Sequence, residues 1–234
     1  RRPGLDGDRR AVGPLVSGAG AARSAGGAGA VILHCDEALV VADKPAGLPT
    51  VPGRPVELHD CLWHRVRATV PDALVVHRLD MATSGLVLFA RGLEAQRTLN
   101  RAFAQREVSK TYVAVVRGEV IGEAGTIDLP LAADWPNRPR QQVDHQRGKP
   151  SLTRWRVINR EAGRTRLALQ PLTGRSHQLR VHLAALGHPI LGDALYADAA
   201  TAAAAPRLLL HASALALAHP LDARPMRFES PIPF

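Results

Sequence analysis

Residues 77–84 combine most of the reactive side-chain types of this 234-residue chain in one short polar segment. They include a cation, Arg78, a carboxylate, Asp80, and two hydroxyls, Thr83 and Ser84. Apolar runs flank the segment on both sides, so it is predicted to be a loop between two buried strands. The carboxylate of Asp80 could act as a nucleophile or a general base. A loop that only uses Asp80 to form a turn is the alternative interpretation.

A second segment, residues 171–182, runs from a predicted strand through a glycine turn into a predicted helix. His177 and Arg180 are three residues apart and therefore share a helix face. This face borders the apolar positions Leu179 and Leu183, so Arg180 is expected near the protein interior, where a cation needs an anionic partner. A solvated stretch that contacts phosphates is the alternative.

Tyr112 lies in a third segment, residues 110–118, which is predicted to be a strand. A tyrosine on a strand usually packs in the core. Its ring could instead stack on a nucleic-acid base, a contact that contributes about 1–3 kcal/mol. The residues of this segment alone favour the core position.

The sequence shows no metal or redox site. His177 and His182 are five residues apart, which is the wrong spacing for two ligands on one helix face. The two cysteines, Cys35 and Cys61, are too distant for a C-x-x-C motif and too few for a disulfide framework. Free cysteines are typical of a reducing compartment, so we expect a cytoplasmic protein. Residues 18–20 lack the preceding strand and the third glycine of a dinucleotide-binding loop.

Positive charge dominates the composition. There are 30 Lys and Arg residues against 21 Asp and Glu residues, a formal net charge of +9, and 27 of the 30 cations are arginine. Guanidinium groups bind phosphates in pairs of hydrogen bonds, so this excess fits a polyanionic partner, although a GC-rich genome explains it equally well. Aromatic residues make up 4% of the chain, too few for a multi-base stacking platform. No apolar run approaches the roughly 20 residues of a membrane span.

The elements that must position these segments are mostly strands. Helices are predicted over residues 60–70 with Asp60 as N-cap, over 93–105, and over 176–186 with Gly187 directly after the end. Strands are predicted over residues 31–33, 38–42, 74–76, 85–90, 111–116, 125–129, 154–158, 165–169, 208–210 and 214–217. Strands and helices do not alternate strictly, which predicts an α+β fold with a mixed, largely antiparallel sheet and flanking helices. Residues 1–30, half of them glycine or alanine, are predicted to be a disordered low-complexity tail.

The three segments together resemble the RluA family of pseudouridine synthases. His77-Arg-Leu-Asp80, followed by Thr83-Ser84-Gly85, resembles the active-site motif of that family. Further blocks resemble the family in the right order: residues 43–47, 51–54, 110–112, 134–139, 148–150, 172–180 and 187–193. The blocks at 134–139 and 148–150 are similar to members that modify both 23S ribosomal RNA and tRNA stem-loops. The resemblance covers residues 31–234, which are expected to form one catalytic domain without an appended RNA-binding module.

The resemblance implies a role for each singled-out residue. Asp80 would be the catalytic aspartate, Arg180 its ion-pair partner, and Tyr112 the ring that packs on the flipped uracil. Arg78 would enter the RNA as the target base leaves the stack. The other residues expected to contact RNA are His77, Lys110, Arg138, Arg175 and His177.

Pseudouridine formation breaks the bond between uracil N1 and ribose C1′ and rejoins the base through C5. Substrate and product are isomers, so neither a cofactor nor a metal is expected. Asp80 could attack C1′ or remove the C2′ proton, and the sequence does not distinguish these roles. The expected partner is structured RNA, with no membrane contact, and we expect a monomer. The alternatives are a non-catalytic RNA-binding protein on the same fold and a synthase of the same family with another RNA target.

Overall fold

A computed structural model of the protein describes residues 30–234, so the tail predicted for residues 1–30 lies outside the described residues except for Ala30. The strands are β1 Val31–Cys35, β2 Leu39–Lys44, β3 Ala73–Val75, β4 Ser84–Arg91, β5 Ser109–Arg117, β6 Ala124–Asp128, β7 Leu131–Ala133, β8 Gln141–Val143, β9 Leu152–Glu161, β10 Arg164–Pro171, β11 Leu210–Ala218 and β12 Pro225–Glu229. The α-helices are α1 Leu62–Arg67, α2 Gly92–Ala104, α3 Gln178–Ala185 and α4 Ala199–Ala203. Short 3-10 helices span Val56–Leu58 and Trp135–Asn137.

Ten of the strands form one sheet, whose central order is β1-β2-β4-β11-β5-β10-β9-β6. Strands β3 and β12 pair with β4 and β11, respectively, while β7 and β8 form a separate hairpin. The pairs are antiparallel except for β4 and β11, which run parallel. The predicted α+β fold with a mixed, largely antiparallel sheet is therefore confirmed.

The first half of the sheet is covered by a helix on each face. Along β4, Leu86 and Leu88 pack with apolar residues of α2, such as Leu99. On the other face, Val87 and Phe89 pack with apolar residues of α1, such as Leu62. Side chains of a strand alternate between the two faces, so a strand covered on both sides needs apolar residues at every position. This explains why the sequence of β4 is a continuous apolar run.

The second half of the sheet is covered by α3. Leu179 and Leu183 of this helix pack against Leu167 and Leu169 of β10. Each fully buried leucine contributes about 1.5–3 kcal/mol relative to an exposed one. The apolar stripe predicted for residues 176–186 is thus the contact that fixes the helix, and with it Arg180, against the sheet.

The two halves meet at the parallel contact between β4 and β11, where Ser84 pairs with His211 and Gly85 with Ala212. Gly85 has a φ of +110°, and a Cβ atom there would lie 2.3 Å from the carbonyl oxygen of Ala212. Only glycine permits this backbone approach. The segment with Asp80 therefore enters the sheet at the joint between its halves.

Several element predictions need correction. Helix α1 begins at Leu62, and Asp60 pairs with Arg65 instead of capping the helix. The strand predicted over 214–217 belongs to β11, which begins at Leu210 and has an irregularity between Ala212 and Ala214. Of the strand predicted over 208–210, only Leu210 is in a strand. The short elements β7, β8, β12 and α4 were not predicted. Gly187 follows α3 with a φ of +87°, as predicted for the position after a helix end.

Candidate active site

A cavity of about 520 Å³ lies where the 77–84 loop faces β5 and the N-terminal end of α3. We call it the site cavity. It brings together eight of the nine residues singled out from the sequence: His77, Arg78, Asp80, Lys110, Tyr112, Arg175, His177 and Arg180. Arg138 is the exception. Segments that are up to 103 positions apart in the chain, from His77 to Arg180, thus converge on one space.

The loop that carries Asp80 is fixed by hydrogen bonds on both sides of that residue. Thr50 donates its hydroxyl to the carbonyl of Leu79 at 2.9 Å and accepts the amide of the same residue at 3.1 Å. Beyond Asp80, the amide of Gly47 donates to the carbonyl of Met81 at 2.8 Å. The carboxylate, whose side chain is 28% exposed, therefore projects from a fixed backbone.

Lys44 is the second support of this loop and was not assigned a role from the sequence. Its ammonium donates to the carbonyls of Pro45 (2.9 Å), Leu48 (2.7 Å) and Met81 (3.0 Å), and the residue is 1% exposed. Burial lowers its pKa to about 7, against the opposing charge of Asp80. The available signal was its residue type: lysine is rare in this arginine-rich chain, and a compact ammonium with three donors suits three carbonyls.

Arg180 is buried and faces two carboxylates. Its Nε and Nη2 donate to the two oxygens of Asp193 at 2.8 and 2.6 Å, whereas Nη1 lies 3.7 Å from Oδ2 of Asp80. Burial lowers the pKa of the guanidinium, but the hydrogen bond and charge of Asp193, together with Asp80, outweigh it and raise the pKa above its usual value. Asp193 was not assigned from the sequence, although the 187–193 block contains it.

His177 lies directly before α3, in the left-handed region with a φ of +54°, and so the helix begins later than predicted. Its Nδ1 is 2.6 Å from the Tyr196 hydroxyl, and its Nε2 is 3.9 Å from Oδ1 of Asp80. Burial lowers the pKa of His177, and Asp80 acts in the opposite direction. At neutral pH the ring is therefore mainly uncharged, with Tyr196 fixing its orientation.

Tyr112 projects into the site cavity from β5, and burial, followed by the charge of Asp80, raises the pKa of its phenol. It presents a neutral ring next to the carboxylate. Lys110 lies two residues earlier on the same strand, and burial lowers its pKa. The sheet register thus places an apolar ring and a cation side by side on one wall of the cavity.

The ring of His77 contacts other residues of the protein on β4 and α2. Its Nε2 accepts the amide of Leu88 at 2.9 Å, and the ring stacks on Phe103 with centroids 4.8 Å apart. Burial, with a smaller effect of Lys110, lowers its pKa to about 3, so the ring is neutral. These contacts tie the start of the loop to β4 and α2.

Arg138 lies at the tip of the β7–β8 hairpin, outside the site cavity. Its guanidinium carbon is 3.4 Å from the ring centroid of Trp135, which is 68% exposed. The hairpin is nevertheless joined to the site, because the amide of Gln141 donates to the Tyr196 hydroxyl at 2.8 Å. Tyr196 thus connects an exposed basic hairpin with His177.

Within residues 30–234, no group of three or more histidine, cysteine or acidic side chains is arranged to hold a metal ion. In the same residues, no helix has the length and hydrophobicity required to span a bilayer. Both cysteines, Cys35 and Cys61, are free thiols.

Comparison with known proteins agrees with this geometry. The sequence profile of the RNA pseudouridylate synthase family matches residues 38–185. The chain belongs to this family. It is therefore an RNA pseudouridine synthase, an isomerase, and the alternative of a non-catalytic RNA-binding protein is not supported.

Individual relatives show the same relationship along most of the chain. It is 50% identical over 205 residues to the dual-specificity RNA pseudouridine synthase RluA of Escherichia coli K12, covering 87% of this chain and 94% of the relative. The RluA protein of Yersinia pestis is 50% identical over 200 residues, covering 85% and 97%. The structure of human RNA pseudouridylate synthase domain containing 1 has a TM-score of 0.73 at 30% identity, with 88% and 84% covered.

Proposed function

We propose that this synthase converts specific uridines to pseudouridine in both 23S ribosomal RNA and the anticodon stem-loop of tRNA, with Asp80 as the catalytic carboxylate. The observation that carries the proposal is the convergence of Asp80, Arg180 and Tyr112 on one cavity. The choice of RNA rests on the extent of identity to relatives named as dual-specificity enzymes. It also rests on the 134–139 and 148–150 blocks described above.

In the proposed reaction, the N1–C1′ bond of the bound uridine breaks, the uracil turns, and a C5–C1′ bond forms. The C5 proton is lost and N1 gains a proton, so the reaction balances without an external group. Asp80 starts the reaction either as a nucleophile at C1′ or as a base at C2′. Arg180 places positive charge 3.7 Å from the carboxylate. Tyr112 packs on the everted base, a contact that contributes about 1–3 kcal/mol.

The second carboxylate in this region supports isomerisation over hydrolysis. Glycosidases use two carboxylates that flank the scissile bond, one of which commonly activates water. Here Asp193 is 1% exposed and holds two nitrogens of Arg180, so it is shielded from solvent water. Asp80 is left to act on the sugar alone.

The exposed cations around the site cavity are proposed to bind the RNA. Arg78 and Arg175 are exposed at its rim, and Lys110 lies within it. Arg78 would fill the position vacated by the target base, since extrusion of a base costs a few kcal/mol. His177 is retained as a contact because it lies close to Asp80, and Arg138 as a contact to the surrounding stem-loop. For His77, whose ring is engaged by Leu88 and Phe103, we propose support of the loop in place of RNA contact.

We further propose that residues 31–234 form the catalytic domain and act as a monomer in the cytoplasm. One chain supplies Asp80, Tyr112 and Arg180, so the site needs no second copy. Free thiols and an RNA substrate fit a reducing compartment that contains ribosomes and tRNA.

Tritium release from RNA labelled at uridine C5 tests the proposal. We expect release from both a 23S ribosomal RNA stem-loop and a tRNA anticodon stem-loop, each stopping after one uridine per molecule. Release from only one of the two would contradict dual specificity, and release from neither, with release from total cellular RNA, would indicate another target.

A further inference from the structure

We propose that Asp193 is a positioning residue that holds one edge of the Arg180 guanidinium, so that only Nη1 faces Asp80 and the oxygens of Asp80 stay free for the sugar. This inference rests on the proposed roles of Asp80 and Arg180. It assigns a function to the buried second carboxylate, which the reaction itself does not require.

The distances show which carboxylate sets the orientation of Arg180. Both contacts to Asp193 are within hydrogen-bond range, at 2.8 and 2.6 Å, and they involve the Nε–Nη2 edge. The 3.7 Å separation from Asp80 is too long for a hydrogen bond. Two parallel hydrogen bonds fix a planar guanidinium far better than one distant charge does. The side chain of Arg180 is therefore oriented by Asp193.

Asp193 is itself rigidly held. Its Oδ1 also accepts the amides of Leu195 at 2.9 Å and Tyr196 at 3.2 Å, and the residue is 1% exposed. The ring of Tyr196 lies 5.0 Å from the guanidinium carbon of Arg180, within the range of a cation–π contact. The turn after Asp193 thus holds both the carboxylate and the guanidinium.

Asp80, in contrast, makes no side-chain hydrogen bond to any residue in the described range. The charged Arg180 lies 3.7 Å from it, and the neutral ring of His177 lies 3.9 Å from it. An arginine without a second partner would turn its bidentate edge toward this carboxylate. Both oxygens of Asp80 would then be occupied by Arg180. Asp193 prevents this by binding that edge first, while Nη1 still supplies positive charge.

The decisive variant is Asp193→Asn. An amide presents one acceptor and one donor, so it cannot pair with both nitrogens of the guanidinium edge. Arg180 is then free to pair closely with Asp80. We expect the single-turnover rate to fall by about 100-fold, because a misplaced reacting group costs about that much, while the Kd for a stem-loop RNA stays close to wild type. The acid limb of the pH–rate profile should move to lower pH, since a closer cation favours the charged carboxylate.

The matched control is Asp198→Asn, the same change five residues away. Asp198 pairs with Arg117 at the surface, and asparagine can replace it as the N-cap of α4. Its rate and acid limb should match wild type. A merely structural role for Asp193 would lower the melting temperature of Asp193→Asn but leave the rate of the folded protein and its acid limb unchanged, and that result overturns the proposal.

Arg180→Lys keeps the test decisive if Asp193→Asn does not fold. A lysine ammonium has no bidentate edge and should remain with the closer, better-held Asp193, which leaves Asp80 without a cation. The rate should fall by about 100-fold. The acid limb should move up, opposite to its shift in Asp193→Asn. A wild-type profile in Arg180→Lys overturns the proposal. If the wild-type enzyme released no tritium, the proposed function itself would be refuted. Failure of the proposed function and failure of the role of Asp193 are therefore distinguishable.

Discussion

Two cavities share the loop at residues 78–84 but differ in how their polar groups are used. The site cavity is lined by Arg78, Leu79, Asp80 and Thr83 of this loop, whereas a second cavity of about 930 Å³ is lined by Met81, Ala82 and Ser84. The second cavity is the larger of the two, and half of its lining residues are proline, alanine or leucine.

Three polar residues of the second cavity, Ser84, His211 and Asp43, are joined in one chain of hydrogen bonds through Ser230. Ser84 pairs with Nδ1 of His211 at 2.9 Å, Nε2 of His211 lies 3.1 Å from Ser230, and Ser230 donates to Asp43 at 2.7 Å. In the site cavity, Asp80 lies near the charged Arg180 but makes no side-chain hydrogen bond within the described part of the chain. Unused bonding capacity next to opposite charge therefore indicates the reactive position, whereas cavity volume does not.

The largest expected difference between the cavities comes from their carboxylates. Asp80→Asn removes the only group proposed to act on the sugar and should lower turnover by about 10⁴-fold or more, with RNA binding largely retained. The matched change in the second cavity, Asp43→Asn, should leave turnover near wild type. Tritium release and a filter-binding assay measure the two effects. Equal losses in both variants would remove the distinction between the cavities.

The arginines provide the next comparison. Arg180→Met removes the cation near Asp80 and leaves Asp193 buried without its partner, so we expect about 10³-fold slower catalysis and about 3–5 kcal/mol lower stability. Arg207→Met, in the second cavity, removes a contact to Ser84 and a partly exposed cation over Phe234. Its single-turnover rate should stay close to wild type. A normal rate in Arg180→Met would refute the role of the ion pair.

Lys44 supports the shared loop from the side of the second cavity. Lys44→Met leaves the carbonyls of Pro45 and Leu48 without their donor, while that of Met81 keeps the amide of Gly47. This change should lower the free energy of unfolding by about 2–4 kcal/mol. A less fixed Asp80 should slow catalysis about tenfold. The control is Lys149→Met at an exposed position, which urea unfolding should place within about 0.5 kcal/mol of wild type. Unchanged stability in Lys44→Met would show that the loop does not depend on this amine.

The smallest effect at neutral pH is expected for His77, which ties the loop to the sheet. Its folded-state pKa, about 3, lies below the ordinary value of 6.5. Between these values the unfolded chain binds a proton that the folded protein does not, so stability falls as the pH falls from 6.5 towards 3. His77→Gln keeps an acceptor for the Leu88 amide but does not titrate. Between pH 7 and pH 4 it should lose about 3 kcal/mol less stability than wild type, measured by urea unfolding. The same loss in both proteins would contradict a neutral, buried ring.

Most of the sheet and three of the helices were predictable, because local periodicity determines them. The apolar run of β4 indicates a strand that is covered on both faces, and the apolar stripe on α3 indicates the helix face that packs on the sheet. The elements missed, β7, β8, β12 and α4, are three to five residues long and carry little periodicity. Asp60 is not the N-cap because the helix begins one residue later than expected, after Cys61, and the carboxylate of Asp60 pairs with Arg65.

The residues of the candidate site that belong to a sequence motif could be predicted. The residues that orient them through contacts between distant segments could not. Asp80, Tyr112 and Arg180 were identified from motifs, and the structure places them in one cavity. Asp193, Tyr196 and Lys44 act through tertiary contacts that local spacing does not encode. Whether a guanidinium turns toward one carboxylate or another depends on atoms from distant segments, and only the folded chain reveals it.

The parallel joint at Gly85 has a consequence for changing the RNA target of this enzyme. A side chain at that position would collide with the Ala212 backbone and separate the two halves of the sheet, so substitutions there would disable the catalyst before altering its preference. The β7–β8 hairpin is not part of the ten-stranded sheet. Substitutions intended to change the RNA substrate should therefore be tolerated better at the tip of this hairpin than at Gly85.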